Sequence, residues 1–494
     1  MVDSLISQWL RRLGVRSNWP PASVDRHTTA RPRTPWLGVS DLPDRVVVAK
    51  GVGVVSSKKR DQRKARERAA HQTHRQTSTA SDPFGFAGTK PLPSQREIVE
   101  RVLLEGIYAH DAGRRAEVDR SIRSLGERAS ALTVVFDVLQ SEVVAVWRRG
   151  WQPGELHRSL KRELTIEHAA LVGYAMAAQM LTYAPATVDD RWQEQLKAIR
   201  ARVIWHSDKL PLDMLGGYTG RLTAGVAAQV IEAIWHLRRL PPLPFTGPLP
   251  GEARPGSPRP SAAADQKMLD KVRALLAKAE STTFPEEAEA YTAKAQELMA
   301  RHSIDVALLM ARTGGRDEPG VRRISIDSPY EAPKTLLLQA VSEANGCRSV
   351  WSQYFGFCTV AGFPGDLDSV ELLFTSLLVQ AVAAMTQSGP KQDRYGRNNT
   401  RSFRQSFLTA YAQRIGERLQ GATETAVNET IEDVGADALL PVLKARSDEV
   451  TEKFQELFPQ LQTHSIAVSN REGWTQGRAA ADRADLHGRR AVPK

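Results

Sequence analysis

The stretch KVRALLAKAESTTFPEEAEAYTAKAQELMARHSID, from Lys271 to Asp305, gives the clearest indication of the fold. Apolar side chains recur at helical spacing on both sides of a short loop. They are Met268, Val272, Leu275, Leu276 and Ala279 before the loop, and Ala288, Tyr291, Ala295, Leu298 and Met299 after it. Thr283 with Glu286 has the pattern of a capping box, which predicts the start of the second helix. We therefore predict a helical hairpin over residues 265–310, with His302 in its last turn.

Several short motifs in this stretch resemble a bacterial and phage family known as domain of unknown function 2786. They are the Leu-Leu-Ala-Lys-Ala-Glu run at 275–280, Pro-Glu-Glu-Ala at 285–288, and the helically spaced Ala295, Leu298, Met299 and His302. The resemblance covers residues 267–305. The layout is also similar to longer actinobacterial members, through Gly-Trp-Gln-Pro at 150–153, Gly-Phe-Pro at 362–364 and the stretch 477–484. The resemblance implies an architecture and a link to phage or mobile elements, but no catalytic residue.

The chain upstream of the hairpin is predicted to hold an all-α domain over residues 96–240. Apolar residues there recur at helical spacing, and Gly150 and Pro153 are typical of one helix ending and the next beginning. Residues 241–260 contain eight prolines, which neither a helix core nor a central strand tolerates. We predict a Pro-rich linker at 241–264 and a domain boundary within it.

The chain downstream of the hairpin is predicted to be an α+β domain over residues 320–465, followed by a polar tail at 466–494. Residues 321–326, 347–351 and 355–361 have the pattern of strands, and 333–344 that of a helix. A long helix should begin near Pro364 and bury Val370, Leu373 and Leu377. The predicted fold class is therefore mainly α, with a small antiparallel sheet covered by helices in the C-terminal part.

The positive charge is concentrated at the N-terminus. Residues 1–95 hold 17 Lys and Arg against 7 Asp and Glu, which is +10 of the net +11. Their Pro, Ser, Thr and Gly content predicts a disordered basic leader. Its densest run, residues 58–75, predicts nucleic acid as a partner, because clustered cations neutralise phosphates. The candidate contacts are Lys58, Lys59, Arg60, Arg63, Lys64, Arg66 and Arg68.

A further basic cluster of +5 extends from Lys391 to Arg418. Within it, Arg397, Arg401 and Arg404 stand beside Tyr395 and Phe403. Arginine with aromatic side chains can bind phosphates and stack on bases, so these three arginines are also candidate nucleic-acid contacts.

The sequence holds no recognisable catalytic or metal-binding pattern, so we predict no catalytic residue, metal or cofactor. The order of elements around Glu371 resembles a minimal zinc peptidase, but the helix lacks the histidines that hold zinc, so Glu371 is interpreted as a solvated acid. His157 and His168 would share a face only if one helix were continuous between them. The preferred function is a non-catalytic protein with weak electrostatic affinity for nucleic acid. A hydrolase of unrecognised type in the α+β domain and a protein-interaction scaffold remain alternatives.

Only two cysteines occur, Cys347 and Cys358, which favours a reducing compartment, and no run of 18 apolar residues is present. We therefore expect a cytoplasmic protein without a membrane span.

Overall fold

The fold is that of a computed structural model, which describes residues 45–49, 93–204, 211–253, 262–281, 285–313, 317–392, 395–465 and 468–483. The chain divides into two compact units, one comprising residues 50–256 and the other residues 1–49 with 257–494. The candidate contacts of the leader, Lys58, Lys59, Arg60, Arg63, Lys64, Arg66 and Arg68, lie outside the described residues, as does Thr283.

The first unit is all-α in its described part. Its helices are α1 (Gln95–Asp111), α2 (Arg115–Gly126), α3 (Ala131–Trp147), α4 (Pro153–Glu163), α5 (Ile166–Met180), α6 (Asp190–Ala198), α7 (Pro211–Leu215) and α8 (Ala224–Arg239). Ser94 and Glu97 form a reciprocal capping box at the start of α1. The most apolar helices, α3 and α5, contribute side chains with no solvent exposure, such as Leu139 and Val172, so they form the centre of the unit.

Residues 241–253 of the Pro-rich segment are bound to this unit, which differs from the linker predicted for them. The Leu243 amide donates to the Arg149 carbonyl at 2.7 Å, and Trp151 Nε1 donates to the Pro241 carbonyl at 2.8 Å. A Cβ on Gly150, whose φ is +90°, would collide with the Leu243 carbonyl. Proline prevents a helix but leaves its carbonyl free as an acceptor, and here the Pro241 carbonyl and the Leu243 amide together fix the segment to the turn between α3 and α4.

The second unit combines helices with one sheet. Its helices are α9 (Ala262–Ser281), α10 (Pro285–Thr313), α11 (Glu331–Ala344), α12 (Pro364–Gln387), α13 (Thr400–Val434), α14 (Ala436–Leu457) and α15 (Arg471–Arg483). The strands are β1 (Arg45–Ala49), β2 (Gly320–Ser325), β3 (Arg348–Ser352), β4 (Phe357–Gly362) and β5 (Leu461–Ser465), in the order β2-β4-β3-β1-β5. Strands β2, β4 and β3 are antiparallel, and β1 runs parallel to β3 and antiparallel to β5.

Helices cover both faces of the β2-β4-β3 portion. Ile324, Cys358 and Val360 on one face pack into the main core, together with α9 to α13. Val321 and Val350 on the other face pack against Phe454 of α14. The prediction of a mainly helical chain with a small antiparallel sheet in the C-terminal part is confirmed.

The predicted hairpin is present as α9 and α10, and it packs within the same unit as the sheet. Leu276 is 2% exposed, whereas Leu275 and Leu298 are half-buried against the core. Helix α10 continues to Thr313. His302 therefore lies in the interior of the helix, and the prediction that it occupies the last turn was wrong, because no Gly or Pro stops the helix there.

Two further elements correct the sequence predictions. Arg45–Ala49, within the leader predicted to be disordered, forms a strand, because its β-branched run pairs with two other strands. Arg471–Arg483, within the predicted polar tail, forms α15, which packs along α13. A Cβ on Gly473 or Gly477 would collide with the carbonyl of Phe403 or Phe407. Small residues thus form the contact face of α15, so no apolar periodicity reveals it.

Helix α12 has the length and composition of a membrane span, with a mean hydropathy of 1.5 over 18 residues. Helices α2 and α3, bent by 119°, pass the same test as a pair. Half of the α12 window is buried, and Leu373, Phe374 and Leu377 have no solvent exposure. Because a core helix has the same properties, this composition is weak evidence for a span.

Candidate functional site

Some of the cations in the basic cluster at 391–418 form contacts within the fold, and others face the solvent. Lys391 pairs with Glu472 at 2.8 Å and lies 4.9 Å from the Phe403 ring centre. Arg414 pairs with Asp482, and Arg418 donates to the Ala481 carbonyl within the core. These three cations hold α15 on α13, so much of the cluster's charge serves the fold.

The predicted contacts of this cluster face outward to different degrees. Arg397 and Arg401 are exposed, and Arg404 is half-buried. The guanidinium of Arg397 lies 5.3 Å from the ring centre of Tyr395, which is itself 66% exposed. An exposed aromatic ring with a guanidinium above it presents a flat surface and a positive charge together.

The loop that carries Tyr395 and Arg397 is fixed by hydrogen bonds at its base. Asn399 N donates to the Lys391 carbonyl at 2.9 Å, and Lys391 N donates to Thr400 Oγ1 at 2.9 Å. Gln392 and Asn398, next to these two bonds on the loop side, form an isolated antiparallel bridge. These contacts hold together the two ends of the loop, at residues 391–392 and 398–400. We call Tyr395, Arg397 and Arg401 the loop patch.

A second polar cluster joins the hairpin to the rest of the unit. Arg446 of α14 pairs with Asp366 of α12 at 2.8 Å, and its guanidinium lies 3.7 Å from the Phe363 ring centre. Asp366 also accepts a hydrogen bond from Ser303, and His302 lies nearby. Burial raises the pKa of Asp366, while Arg446 and Ser303 act in the opposite direction. The adjoining cavity of about 20 Å³ holds roughly one water molecule and is too small for a substrate.

Glu371 is not a freely solvated acid as the sequence suggested. Arg322 of β2 donates to Glu371 at 3.0 Å and to Asp368 at 2.6 Å, and its own side chain is 9% exposed. Because a buried guanidinium needs compensating charge, these two acids are structural partners of Arg322. No group of three or more potential metal-ligating side chains occurs in the described ranges.

The histidines of the first unit also form buried contacts. Helix α4 ends at Glu163 and α5 begins at Ile166, so His157 and His168 do not lie on one continuous helix. His168 contacts Thr165 at 2.9 Å and Glu232 at 3.0 Å. Burial lowers the pKa of His157.

Ser159 Oγ and His236 Nε2 lie 2.9 Å apart, and both residues are buried. Burial lowers the pKa of His236 to about 4, so the ring is neutral near pH 7. The pair is buried away from solvent, which favours a structural role.

These features define a helix-rich protein of two units, in which a helical hairpin packs against the helices that cover a small sheet. Residues 267–306 match the model of the family described as protein of unknown function (DUF2786), as the sequence motifs predicted. No curated protein and no solved structure matches the chain. The match covers α9 and part of α10, so it identifies the hairpin and indicates no specific activity.

Proposed function

We propose that the protein is a non-catalytic nucleic-acid-binding protein that uses the loop patch together with the cations of residues 58–75. The observation that supports this proposal best is the exposed stack of Arg397 on Tyr395. Arginine neutralises phosphate charge, and an exposed aromatic ring stacks on unpaired bases of any sequence. We also propose a reducing, cytoplasmic location, because Cys347 and Cys358 are free and buried thiols.

The sequence places most of the net charge outside the second unit, so the leader contributes electrostatic affinity and the loop patch contributes stacking. Electrostatic contacts depend on salt, whereas stacking depends on an accessible single strand. Single-stranded ligands should therefore bind more tightly than duplexes at the same salt concentration. The hydrolase and scaffold alternatives gain no specific support from the polar clusters, whose groups pair with one another within the fold.

The test is a fluorescence anisotropy titration of the full chain with a labelled random single strand and a duplex at several salt concentrations. Replacing the seven cations Lys58, Lys59, Arg60, Arg63, Lys64, Arg66 and Arg68 by Gln should reduce the slope of log K against log salt by about 4 to 7. Substitution is preferable to deletion of residues 1–95, because Arg45–Ala49 forms a strand. Unchanged affinity would remove the leader from the proposal.

The loop patch is tested with paired variants. Arg397→Gln with Arg401→Gln should lower affinity and reduce the slope by about 1 to 2. Lys267→Gln with Lys271→Gln removes two exposed cations from α9 and serves as the control. Tyr395→Ala should weaken single-strand binding about 5- to 100-fold, with Tyr395→Phe retaining it. Equal affinity of all these variants would refute the role of the patch.

A further inference from the structure

The turn between β3 and β4 carries an aromatic surface that is separate from the loop patch. Tyr354 is 62% exposed, and its ring centre lies 5.0 Å from that of Phe355, with an angle of 82° between the rings. Phe355 is half-buried and stacks on Phe357 of β4, with ring centres 5.7 Å apart and an angle of 14°. Phe357 is 2% exposed. The three rings, which we call the hairpin aromatics, therefore extend in series from the sheet to the solvent.

A cation lies beside these rings. The guanidinium of Arg323, on the neighbouring strand β2, is 5.7 Å from the Phe357 ring centre. In the register of β2 and β4, Arg323 is opposite Thr359 and Ser325 is opposite Phe357. Because side chains alternate along a strand, Arg323 and Phe357 lie on the same face of the sheet. Stacking rings and a positive charge are thus brought together on one surface.

Hydrogen bonds fix the turn that carries Tyr354 and Phe355. The amides of Phe355 and Gly356 both donate to the Ser352 carbonyl at 3.0 Å, and Gly356 has a φ of +70°, which favours glycine. The Gly356 carbonyl accepts from the Ile326 amide at 2.9 Å, which joins the turn to the end of β2. Since the turn is held on both sides, the rings form a prepared surface, and little conformational entropy is lost when a ligand binds.

The charges around the hairpin aromatics favour an anionic partner. Strands β2, β3 and β4 contain three arginines and no aspartate or glutamate. Arg322 pairs with acids of α12, whereas Arg323 lies beside the aromatics. Asp327 follows β2, and Lys334 lies next to it, with its Nζ donating to the Asp327 carbonyl at 2.8 Å. Aromatic rings beside a cation fit a chain of unpaired bases joined by phosphates.

We propose that the hairpin aromatics and Arg323 bind single-stranded nucleic acid, with bases stacked on Tyr354 and Phe355 and a phosphate at Arg323. The inference rests on the proposed function, to which it adds a second contact surface in the second unit. The residues differ from those of the loop patch, so each surface can be removed without changing the other.

The experiment is an anisotropy titration of the full chain with a labelled strand of about six thymidylates, a length within the range of single-strand sites. Tyr395→Ala with Arg397→Gln is the parent protein, because it lacks stacking at the loop patch. Adding Tyr354→Ala should weaken binding about 5- to 100-fold, and adding Tyr354→Phe should retain the parent affinity. Adding Arg323→Gln should reduce the slope of log K against log salt by about 0.7.

Tyr108→Ala is the matched control, since Tyr108 is 64% exposed on α1 of the first unit, and it should bind as the parent does. Tyr354→Ala should keep the thermal midpoint of the parent, because the side chain is mostly exposed. A strand that carries photoreactive 4-thiothymidine should crosslink to the peptide containing Tyr354, which mass spectrometry identifies.

The outcomes separate the two surfaces. Binding by the parent that requires Tyr354 supports the hairpin surface even if the loop-patch variants match the wild type. If the loop-patch variants lose affinity but Tyr354→Ala binds as its parent does, the rings are left for a protein partner and the inference is overturned, while the proposed function stands. Equal losses in Tyr354→Ala and Tyr354→Phe would also overturn it. A wild-type chain that binds no single strand would overturn both.

Discussion

Arg446 and Asp366 form a 2.8 Å ion pair between α14 and α12, with side chains that are 16% and 11% exposed. The guanidinium also packs on the Phe363 ring, so the pair lies between an aromatic face and the hairpin. Burial raises the pKa of Asp366, and the charge of Arg446 opposes that rise.

Replacing Arg446 by Met should destabilise the second unit by about 3 to 5 kcal/mol, because Asp366 is left buried without its counter-charge. The free energy of unfolding, measured by urea denaturation, checks this value. Lys444→Met is the control, since Lys444 is exposed on the same helix and pairs with the exposed Asp448. Its denaturation midpoint should equal that of the wild type.

The stability of the Arg446→Met variant should also depend on pH more strongly than that of the wild type. A carboxyl whose pKa is higher in the folded state than in the unfolded state binds more protons when folded, so stability falls as pH rises between the two values. Arg446→Met raises the folded pKa of Asp366 further and should steepen the fall above about pH 4. Adding Asp366→Asn should remove the extra slope. A slope that persists in the double variant would contradict this assignment.

Gly477→Ala should cost about 1 to 3 kcal/mol or more, because the new methyl group would collide with the Phe407 carbonyl of α13. Thermal or urea unfolding of the full chain measures the effect. Gly421→Ala is the matched control, since Gly421 lies within α13 with open space around its Cβ position. That variant should be stabilised by up to about 1 kcal/mol. Similar effects at both glycines would refute the close contact.

Within the matched family segment, Leu276→Ala should cost about 2 to 5 kcal/mol, because Leu276 is 2% exposed in the main core. Leu275→Ala and Leu298→Ala should cost less, since both side chains are half-buried. Chemical denaturation of the three variants checks the order. A Leu275 variant as unstable as the Leu276 variant would indicate that another molecule or segment covers Leu275.

Because His236 is buried, we expect the first unit to lose stability in acid. Its pKa is about 4 when folded, against an ordinary value of 6.5, so below about pH 6.5 the unfolded chain binds a proton that the folded chain does not. Stability should therefore fall as pH decreases from about 6.5 to 4, by up to roughly 3 kcal/mol. Tryptophan fluorescence during denaturation at several pH values measures the slope, and His236→Gln should flatten it.

Local patterns predicted the elements whose apolar spacing is regular. The hairpin and the strands β2, β3 and β4 follow from helical spacing or from apolar runs bounded by turns. Helix α15 was missed because glycine and alanine form its contact face. Strand β1 was missed because its partners, β3 and β5, lie far away in the sequence.

For the candidate site, too, the sequence could not reveal contacts with residues far away in the chain. Arg397 and Arg401 are exposed, and their contact with nucleic acid stays a prediction. The sequence could not show that Lys391 and Arg414 are engaged by Glu472 and Asp482, because those acids belong to the helix that was missed. The net charge counted from the sequence of a segment is therefore larger than the charge that remains available to bind a partner.

The contact between α13 and α15 also bears on how the chain is made. Synthesis proceeds from the N-terminus, so α13, with its row of Phe403, Phe407 and Tyr411, leaves the ribosome before α15 does. Until α15 emerges, part of that helix has no cover, and transiently exposed apolar surface favours aggregation. The first unit, residues 50–256, has already left the ribosome by then and can complete its core earlier. We therefore expect folding of the second unit to depend on chaperones more than folding of the first unit does. It should also require an intact α15.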